Sequence, residues 1–344
     1  MIAFDFFCGA GGLTRGLLNI GIDVRLGIDM NNNCRETYEK NNYPARFLQA
    51  DIRTLSHQDL SYWTDGVHPE NLLLAACAPC QPFTKLKSQK VRPRHRDATL
   101  LNSFSFFVRE LQPRCVFIEN VPGITKVDGF SSYRRFLKML RENGYDYCEG
   151  ILDSKEYGVP QTRRRLIIIA SKGVHPTLPP PSHGHNLLPY RTVEDAIRCY
   201  PPIEAGETHL EIPNHRASTL SLINLERIKN TPKNGGDRAS WPSNLWLECH
   251  KNGHTGHTDV YGRMRWEQPA PAITCRCDSL SNGRYGHPEQ NRAISLREAA
   301  RLQSFEDNYV FYGTSKKELA AQIGNAVPVK LAEAIGRHIL ALTS

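Results

Sequence analysis

The sequence predicts an α/β protein: an open sheet packed with helices, joined to a smaller, loop-rich second domain. Three observations predict it. Short apolar runs of strand length alternate with apolar stripes at helical spacing. A glycine turn, Gly9-Ala10-Gly11-Gly12, directly follows the first run. Composition then shifts after Ser171 toward Pro, His, Asn and Gly.

The totals fit such a protein. The chain has 344 residues, 40% hydrophobic and 23% charged, enough for one large core and a smaller domain. Its formal net charge of +8 suggests an anionic partner, and nucleic acid is the usual one. No apolar run approaches the roughly 18 residues of a membrane span, so no membrane partner is expected. The amino terminus shows no basic region followed by a long apolar one, which predicts no signal peptide. The ten cysteines lack a framework spacing and are expected to be free thiols in a reducing cytoplasm.

Residues 2–8 form an apolar run interrupted by Asp5 and read as the first, central strand. The glycine turn and a helix start at Leu13 follow. Strand, glycine turn and helix is the layout of a nucleotide-binding unit, because glycine lets the backbone approach a ligand closely. Residues 24–28 read as a second strand ending in Asp29, where an acid can hold a ribose hydroxyl. Residues 47–50 lead to a third strand end at Asp51-Ile52. Gly, Asp and Asp at three strand ends argue for an adenosyl group across the sheet edge, although for each acid alone a helix cap is the more common reading.

Residues 72–76, Leu-Leu-Leu-Ala-Ala, form a buried strand. Pro79 and Pro82 then force the chain out of the sheet. Cys80 between them is a candidate nucleophile at the carboxyl edge, where α/β sheets bind ligands. A structural cysteine, or a redox or zinc pair with Cys77, stays open on this stretch alone. Residues 85–96 hold six Lys and Arg and no acid, a solvated loop that could also clamp phosphates. Leu100, Leu101, Phe104, Phe107, Val108 and Leu111 make a helical core stripe. Residues 115–118 form the next strand, with Glu119-Asn120 at its end, and an acid there is costly to bury without purpose. Tyr133, Phe136, Leu137 and Leu140 mark another helix. Gln161, Arg163 and Arg165 share one face if the run before strand 166–170 is extended.

Residues 172–262 read as a hinge and a small domain. Cys249, His250, His254 and His257 there fit no standard zinc finger, so no metal site is expected. Order returns with capping boxes at Ser295-Leu296-Arg297-Glu298 and Ser315-Lys316-Lys317-Glu318. Gly324-Asn325-Ala326-Val327-Pro328 breaks the second helix, and a last one runs to about Leu342.

Taken together these stretches resemble the DNA cytosine-5 methyltransferase family. The ordered set is Asp5-Phe6-Phe7-Cys8-Gly9-Ala10-Gly11-Gly12, Pro79-Cys80-Gln81, Glu119-Asn120-Val121, Gln161-x-Arg163-x-Arg165 and Gly324-Asn325-Ala326-Val327-Pro328. The match covers the chain except for roughly residues 182–262. It implies a Rossmann-like methyltransferase sheet with helices on both faces, and a small loop-rich target recognition domain. The implied division is 1–181 catalytic and cofactor-binding, 182–262 target recognition, and 263–344 returning to the catalytic domain, its final helix near the first strand.

The resemblance implies the chemistry too. Cys80 would attack C6 of a cytosine flipped out of a specific double-stranded DNA sequence. Glu119 would engage N3 and the amino group, Arg165 the base carbonyl, and Arg163 the supporting loop. The methyl group would come from S-adenosyl-L-methionine, leaving S-adenosyl-L-homocysteine. Phe7 would stack on adenine, Gly9, Ala10, Gly11 and Gly12 would pass the methionine part, and Asp29 would bind the ribose. Met30 and Ile52 would flank adenine and Asp51 would accept its amino group, with Pro79, Leu100, Asn325 and Val327 completing the pocket. A bacterial cytoplasmic monomer, paired with a separately acting restriction endonuclease, is the implied setting. Two departures stand out: Met30 replaces an aromatic common in relatives, and the loop after Thr84 lacks their glycines.

Competing readings are a tRNA cytosine-5 methyltransferase of the same fold, a non-catalytic DNA-binding relative, and a thiol oxidoreductase using Cys77 and Cys80. The first would carry a Cys-Phe-Thr signature that residues 182–262 lack. The second would need none of Cys80, Glu119 and Arg165. The third leaves the adenosyl site unexplained.

Overall fold

The computed structural model describes residues 1–78, 100–125, 131–251 and 258–343. Its contacts divide the chain into two compact units. One comprises Met1–Asp153, Arg164–Pro181 and Val327–Ser344, the other Ser154–Arg163 and Ser182–Ala326.

The first unit alternates strands and helices: β1 (Ile2–Phe6), α1 (Gly12–Asn19), β2 (Asp23–Asp29), α2 (Arg35–Asn41), β3 (Arg46–Gln49), α3 (Ser61–Thr64), β4 (Leu72–Ala76), α4 (Leu100–Leu111), β5 (Cys115–Asn120), α5 (Ser131–Glu142), β6 (Asp146–Asp153) and β7 (Arg164–Ser171). The seven strands form one sheet in the order β3-β2-β1-β4-β5-β7-β6. The first five pair in parallel, and β7 runs antiparallel between β5 and β6. Strand order reverses between β1 and β4. The carboxyl ends flanking that switch point are where open α/β sheets bind ligands.

Alternation along each strand sends side chains to two layers. Phe4 and Phe6, Leu26 and Ile28, Leu72 and Leu74 pack with Phe104 and Phe107 of α4 and Phe136 of α5 in one core. Phe6 lies 5.2 Å, centroid to centroid, from both Phe104 and Phe107. The intervening residues face the other layer. Asp5 meets Thr14 of α1, and Gly27 lies under Tyr38 of α2, where a Cβ would come within 2.3 Å of the ring. Helices therefore cover both faces, as the sequence predicts.

β7 runs antiparallel, so its first residues lie beside the last residues of β5. Glu119 pairs with Ile167 and Asn120 with Leu166. Both strands are longer than their apolar runs: Glu119 lies within β5 and Arg165 within β7.

The second unit contains α6 (Val193–Ile197), α7 (Leu222–Lys229), α8 (Glu248–Lys251), α9 (Leu296–Leu302) and α10 (Lys316–Asn325), with only isolated bridges in place of strands among the described residues. Ile228, Trp241, Leu245, Tyr261 and Leu280 form one small core. Without a sheet, the carbonyls of such loops need other donors. Buried arginines supply them. Arg263 donates to the carbonyls of Ile228 at 2.8 Å, Thr231 at 3.0 Å and His287 at 2.9 Å. Arg297 reaches Pro213 at 2.9 Å and Tyr309 at 2.9 Å. Arg292 forms a two-pronged ion pair with Glu298, both bonds 2.7 Å, and also holds the carbonyl of Ile203 at 3.0 Å.

These bonds explain where the observed boundary departs from the expected one. Residues 263–326 are tied to residues 203–231 and fall in the second unit, and the chain returns to the first only at Val327. Ser295 and Glu298 form the predicted capping box. At the next helix only half of it forms: Ser315 accepts from Glu318, whose carboxylate turns to Thr314 instead. The chain ends in the first unit as α11 (Val329–Thr343), packed on α1, the helix that follows β1, where Gly16 lies against Val329 and Ala332. No helix among the described residues is long and apolar enough to cross a membrane.

Candidate active site

The carboxyl edge of the sheet gathers most of the predicted residues of the first unit. After β1 the chain turns sharply, with Phe7, Gly9 and Gly11 all at positive φ of 62°, 49° and 86°. The amides of Phe7 and Cys8 both donate to the Ile28 carbonyl, at 2.7 and 3.1 Å, tying this turn to the end of β2. Gly11 is the N-cap of α1, and no side chain caps that helix. The α1 amino terminus thus presents its first-turn N–H groups beside the turn, as at phosphate- and carboxylate-binding helices. A Cβ on Gly9 would meet nothing within 4 Å, so the space above it is open. Ala10 is buried, and Gly12 opens the helix.

Asp29 closes β2. One oxygen accepts the Gly9 amide at 2.9 Å and the other the Asn31 amide at 2.8 Å. Burial pushes its carboxyl above the ordinary value, and these amide bonds pull it back. The Ala50 amide donates to the Asp29 carbonyl at 3.1 Å, so Asp51 lies just beyond the neighbouring strand end. Arg53 grips Asp51 with two bonds, 2.8 Å to one oxygen and 2.5 Å to the other. Ile52 is buried, whereas Met30 is 60% exposed. Leu100 at the start of α4 and Val327 are buried.

The β5 end carries the second cluster. Glu119 is 8% exposed and meets the Arg165 guanidinium, Nε to Oε1, at 2.8 Å. Asn120 donates from Nδ2 to the Ala78 carbonyl at 3.3 Å, and the Cys77 amide donates to the Phe6 carbonyl at 3.2 Å. The stretch leading to Cys80 is therefore anchored between the ends of β1 and β5. Pro79, Cys80 and the basic loop lie outside the described residues.

Exposure alternates along 161–165 as an extended run requires: Gln161 and Arg163 are buried, Arg165 is half-buried, and Thr162 and Arg164 are exposed. Arg163 belongs to the second unit. It donates to the carbonyls of Ile273 at 2.8 Å, Gly324 at 3.2 Å and Ala326 at 3.3 Å. Gln161 accepts the Ile273 amide at 2.8 Å and donates to the side chain of Gln303 at 2.9 Å. Gln303 in turn donates to the carbonyls of Ile323 and Ala326, at 2.8 and 3.3 Å. This buried clamp holds 273 and 323–326 together. Next to it, the Cys275 thiol donates to Asn325 Oδ1 at 2.9 Å.

Sequence reasoning missed Gln303, Arg53 and the Asp5-Thr14-Tyr38 chain. A glutamine after a helix, and an Asp-x-Arg pair, carry no signal until their partners are in place. No group of three or more His, Cys, Asp and Glu suited to a metal occurs among the described residues. Cys249 is exposed, and His254 and His257 lie outside the described residues.

Comparison with known proteins agrees with this architecture. A Type II methylase, M.HgiDII of Herpetosiphon aurantiacus, is 39% identical over 343 residues, covering 97% of this chain and 94% of its own. The Type II methyltransferase M1.HphI of Haemophilus parahaemolyticus is 33% identical, covering 99% and 87%. Among solved structures, one from E. coli, ascribed to a DNA modification methyltransferase encoded within a prophage, superposes with a TM-score of 0.77. At 21% identity over 99% of both chains, it shares the fold. The family model for C-5 cytosine-specific DNA methylases matches residues 1–341. With that span matched and relatives this similar, the chain belongs to the C-5 cytosine-specific DNA methylase family.

Proposed function

We propose that this chain transfers a methyl group from S-adenosylmethionine to C5 of a cytosine in a specific double-stranded DNA sequence, through base flipping and a covalent bond between Cys80 and C6. The observation that carries the reading is the Glu119–Arg165 pair beside the anchored approach to Cys80. A carboxylate and a guanidinium at one strand end suit the polar edge of one base.

The residues fit the cofactor. Asp29 keeps acceptor capacity for ribose hydroxyls beyond its two amide bonds, the uncapped α1 terminus suits a carboxylate, and open space lies above Gly9. When bound, S-adenosylmethionine supplies an electrophilic methyl group and leaves as S-adenosylhomocysteine. Phe7, Met30 and Ile52 border adenine, and Asp51 accepts its amino group. Pro79, Leu100, Asn325 and Val327 complete the pocket.

The target base leaves the duplex at a cost of a few kcal/mol. An unperturbed thiol has a pKa of about 8.5, so Cys80 needs cations nearby to react as the thiolate. Its sulfur bonds to C6, and the displaced electron pair moves toward C5 and N3. Glu119 hydrogen-bonds or protonates N3, and Arg165 holds the base carbonyl oxygen. C5 then forms its new bond to the methyl carbon. Water takes the C5 proton and the electron pair left behind breaks the sulfur–C6 bond; N3 returns any proton it took to Glu119, and Cys80 leaves as the thiolate. Arg163 acts at one remove, by holding 273 and 324–326 in place.

Residues 182–262 recognise the target sequence in this reading, and the basic loop 84–97 closes over DNA. The protein acts as a cytoplasmic monomer, with a cognate restriction endonuclease as a separate protein. Mapping 5-methylcytosine in DNA from cells expressing the chain tests the proposal. One modified sequence context, absent with Cys80→Ala, is expected; unmodified DNA from cells containing folded protein overturns it.

A further inference from the structure

We infer that Arg53 determines the cofactor's base specificity by locking the Asp51 carboxylate as an adenine-selecting acceptor. This rests on the proposal that Asp51 meets the adenine amino group. The geometry is a two-pronged fork. Arg53 Nε donates to one oxygen at 2.8 Å and Nη2 to the other at 2.5 Å, and the Arg53 amide adds a third bond at 3.1 Å. Both side chains are 22% exposed, so water competes weakly.

The fork takes one lone pair of each oxygen and the Arg53 amide a second on Oδ1, so the acceptor offered to adenine is Oδ2. The fork also fixes the plane. An aspartate χ2 is otherwise soft, and the single amide bond that remains without the fork pins one oxygen but lets the carboxylate plane turn about it. That plane decides which purine is accepted. Adenine offers an amino donor at position 6 and an acceptor at N1. Hypoxanthine reverses both, with a carbonyl at position 6 and a donor at N1. A carboxylate fixed toward position 6 accepts the amino group and repels the carbonyl. One free to rotate follows the donor to N1 and accepts either base. Lysine supplies the charge without the planar fork and cannot hold the plane.

The test is calorimetry with S-adenosylhomocysteine and its deaminated analogue, S-inosylhomocysteine. The wild-type protein prefers the adenine form by at least roughly tenfold, the scale of one charged hydrogen bond. Arg53→Ala and Arg53→Lys should both reduce that preference to within about threefold of unity, with a smaller loss of affinity for S-adenosylhomocysteine. A folded Arg53→Ala protein that keeps the wild-type preference, or binds the adenine form more tightly, overturns the inference. Asp51→Asn separates the two levels. An amide presents donor or acceptor by turning over, so it too should lose the preference. If Asp51→Asn retains the full preference and affinity, Asp51 does not meet the base, and the underlying assignment fails instead.

Discussion

Asp5 offers a test of the site's foundations. It lies in the middle of β1, paired in register with Gly27 and Ala75, and is fully buried. Oδ2 accepts the Thr14 hydroxyl at 2.7 Å, while Oδ1 has no hydrogen-bond partner. With its one proton given to Asp5, Thr14 must accept from Tyr38, 2.9 Å away. Burial pushes the Asp5 carboxyl from 3.8 to about 7; the Thr14 bond pulls it back and the Asp29 charge pushes it further. A carboxyl raised on folding binds protons more tightly in the native state. Its contribution is fully present below pH 4 and is lost as pH rises to 7. At about 1.36 kcal/mol per unit, the whole span is at most about 4 kcal/mol, and the part between pH 5 and pH 8 about 2–3 kcal/mol. Asp5→Asn cannot ionise. Its own packing and hydrogen-bond cost is the same at both pH values and cancels. Urea unfolding at pH 5 and pH 8 should show wild type losing about 2–3 kcal/mol relative to the variant on going to pH 8. An equal difference at the two pH values would refute the argument.

Two further outcomes follow from the two units. Arg165→Lys keeps the charge but not the planar head that meets Glu119, so kcat should fall by about a hundredfold with S-adenosylhomocysteine affinity unchanged; single-turnover methylation and calorimetry together check it. Gly324→Ala puts a Cβ 2.2 Å from the Thr274 carbonyl carbon and 2.4 Å from the Cys275 amide nitrogen, both backbone. Relief requires parting the segments that Arg163 holds, and thermal and urea unfolding should report a loss of about 1–3 kcal/mol.

Much of the first unit was legible because its signals are local. The run 72–76 is uninterrupted and became β4 without change. The α4 stripe likewise spans the predicted residues. β6 was not legible. As an edge strand it reads Asp-Tyr-Cys-Glu-Gly-Ile-Leu-Asp, mostly half-buried or exposed, and its partner β7 comes later in the chain. The antiparallel insertion of β7 brings Arg165 to Glu119, so that contact was readable only through family resemblance. In the second unit net charge hides where the cations stand. Arg163, Arg263, Arg292 and Arg297 count toward the net +8 but are buried on carbonyls or on Glu298. A composition cannot show which arginines stand inside. The extent of the second unit was missed for the same reason, since these side chains bind 263–326 to residues 203–231.

The central claim is a covalent bond from Cys80, and one measurement tests it most directly. Fluorine at C5 of the target cytosine blocks the final elimination, because no proton can be removed there. Incubated with S-adenosylmethionine and fluorinated target DNA, the wild-type chain should become linked to the DNA. The adduct should survive a denaturing gel, and peptide mapping should place it on Cys80. Cys77→Ala should still be trapped, since its amide belongs to the end of the strand and its side chain takes no part. An adduct formed by Cys80→Ala, or one mapped to any other cysteine, would contradict the account.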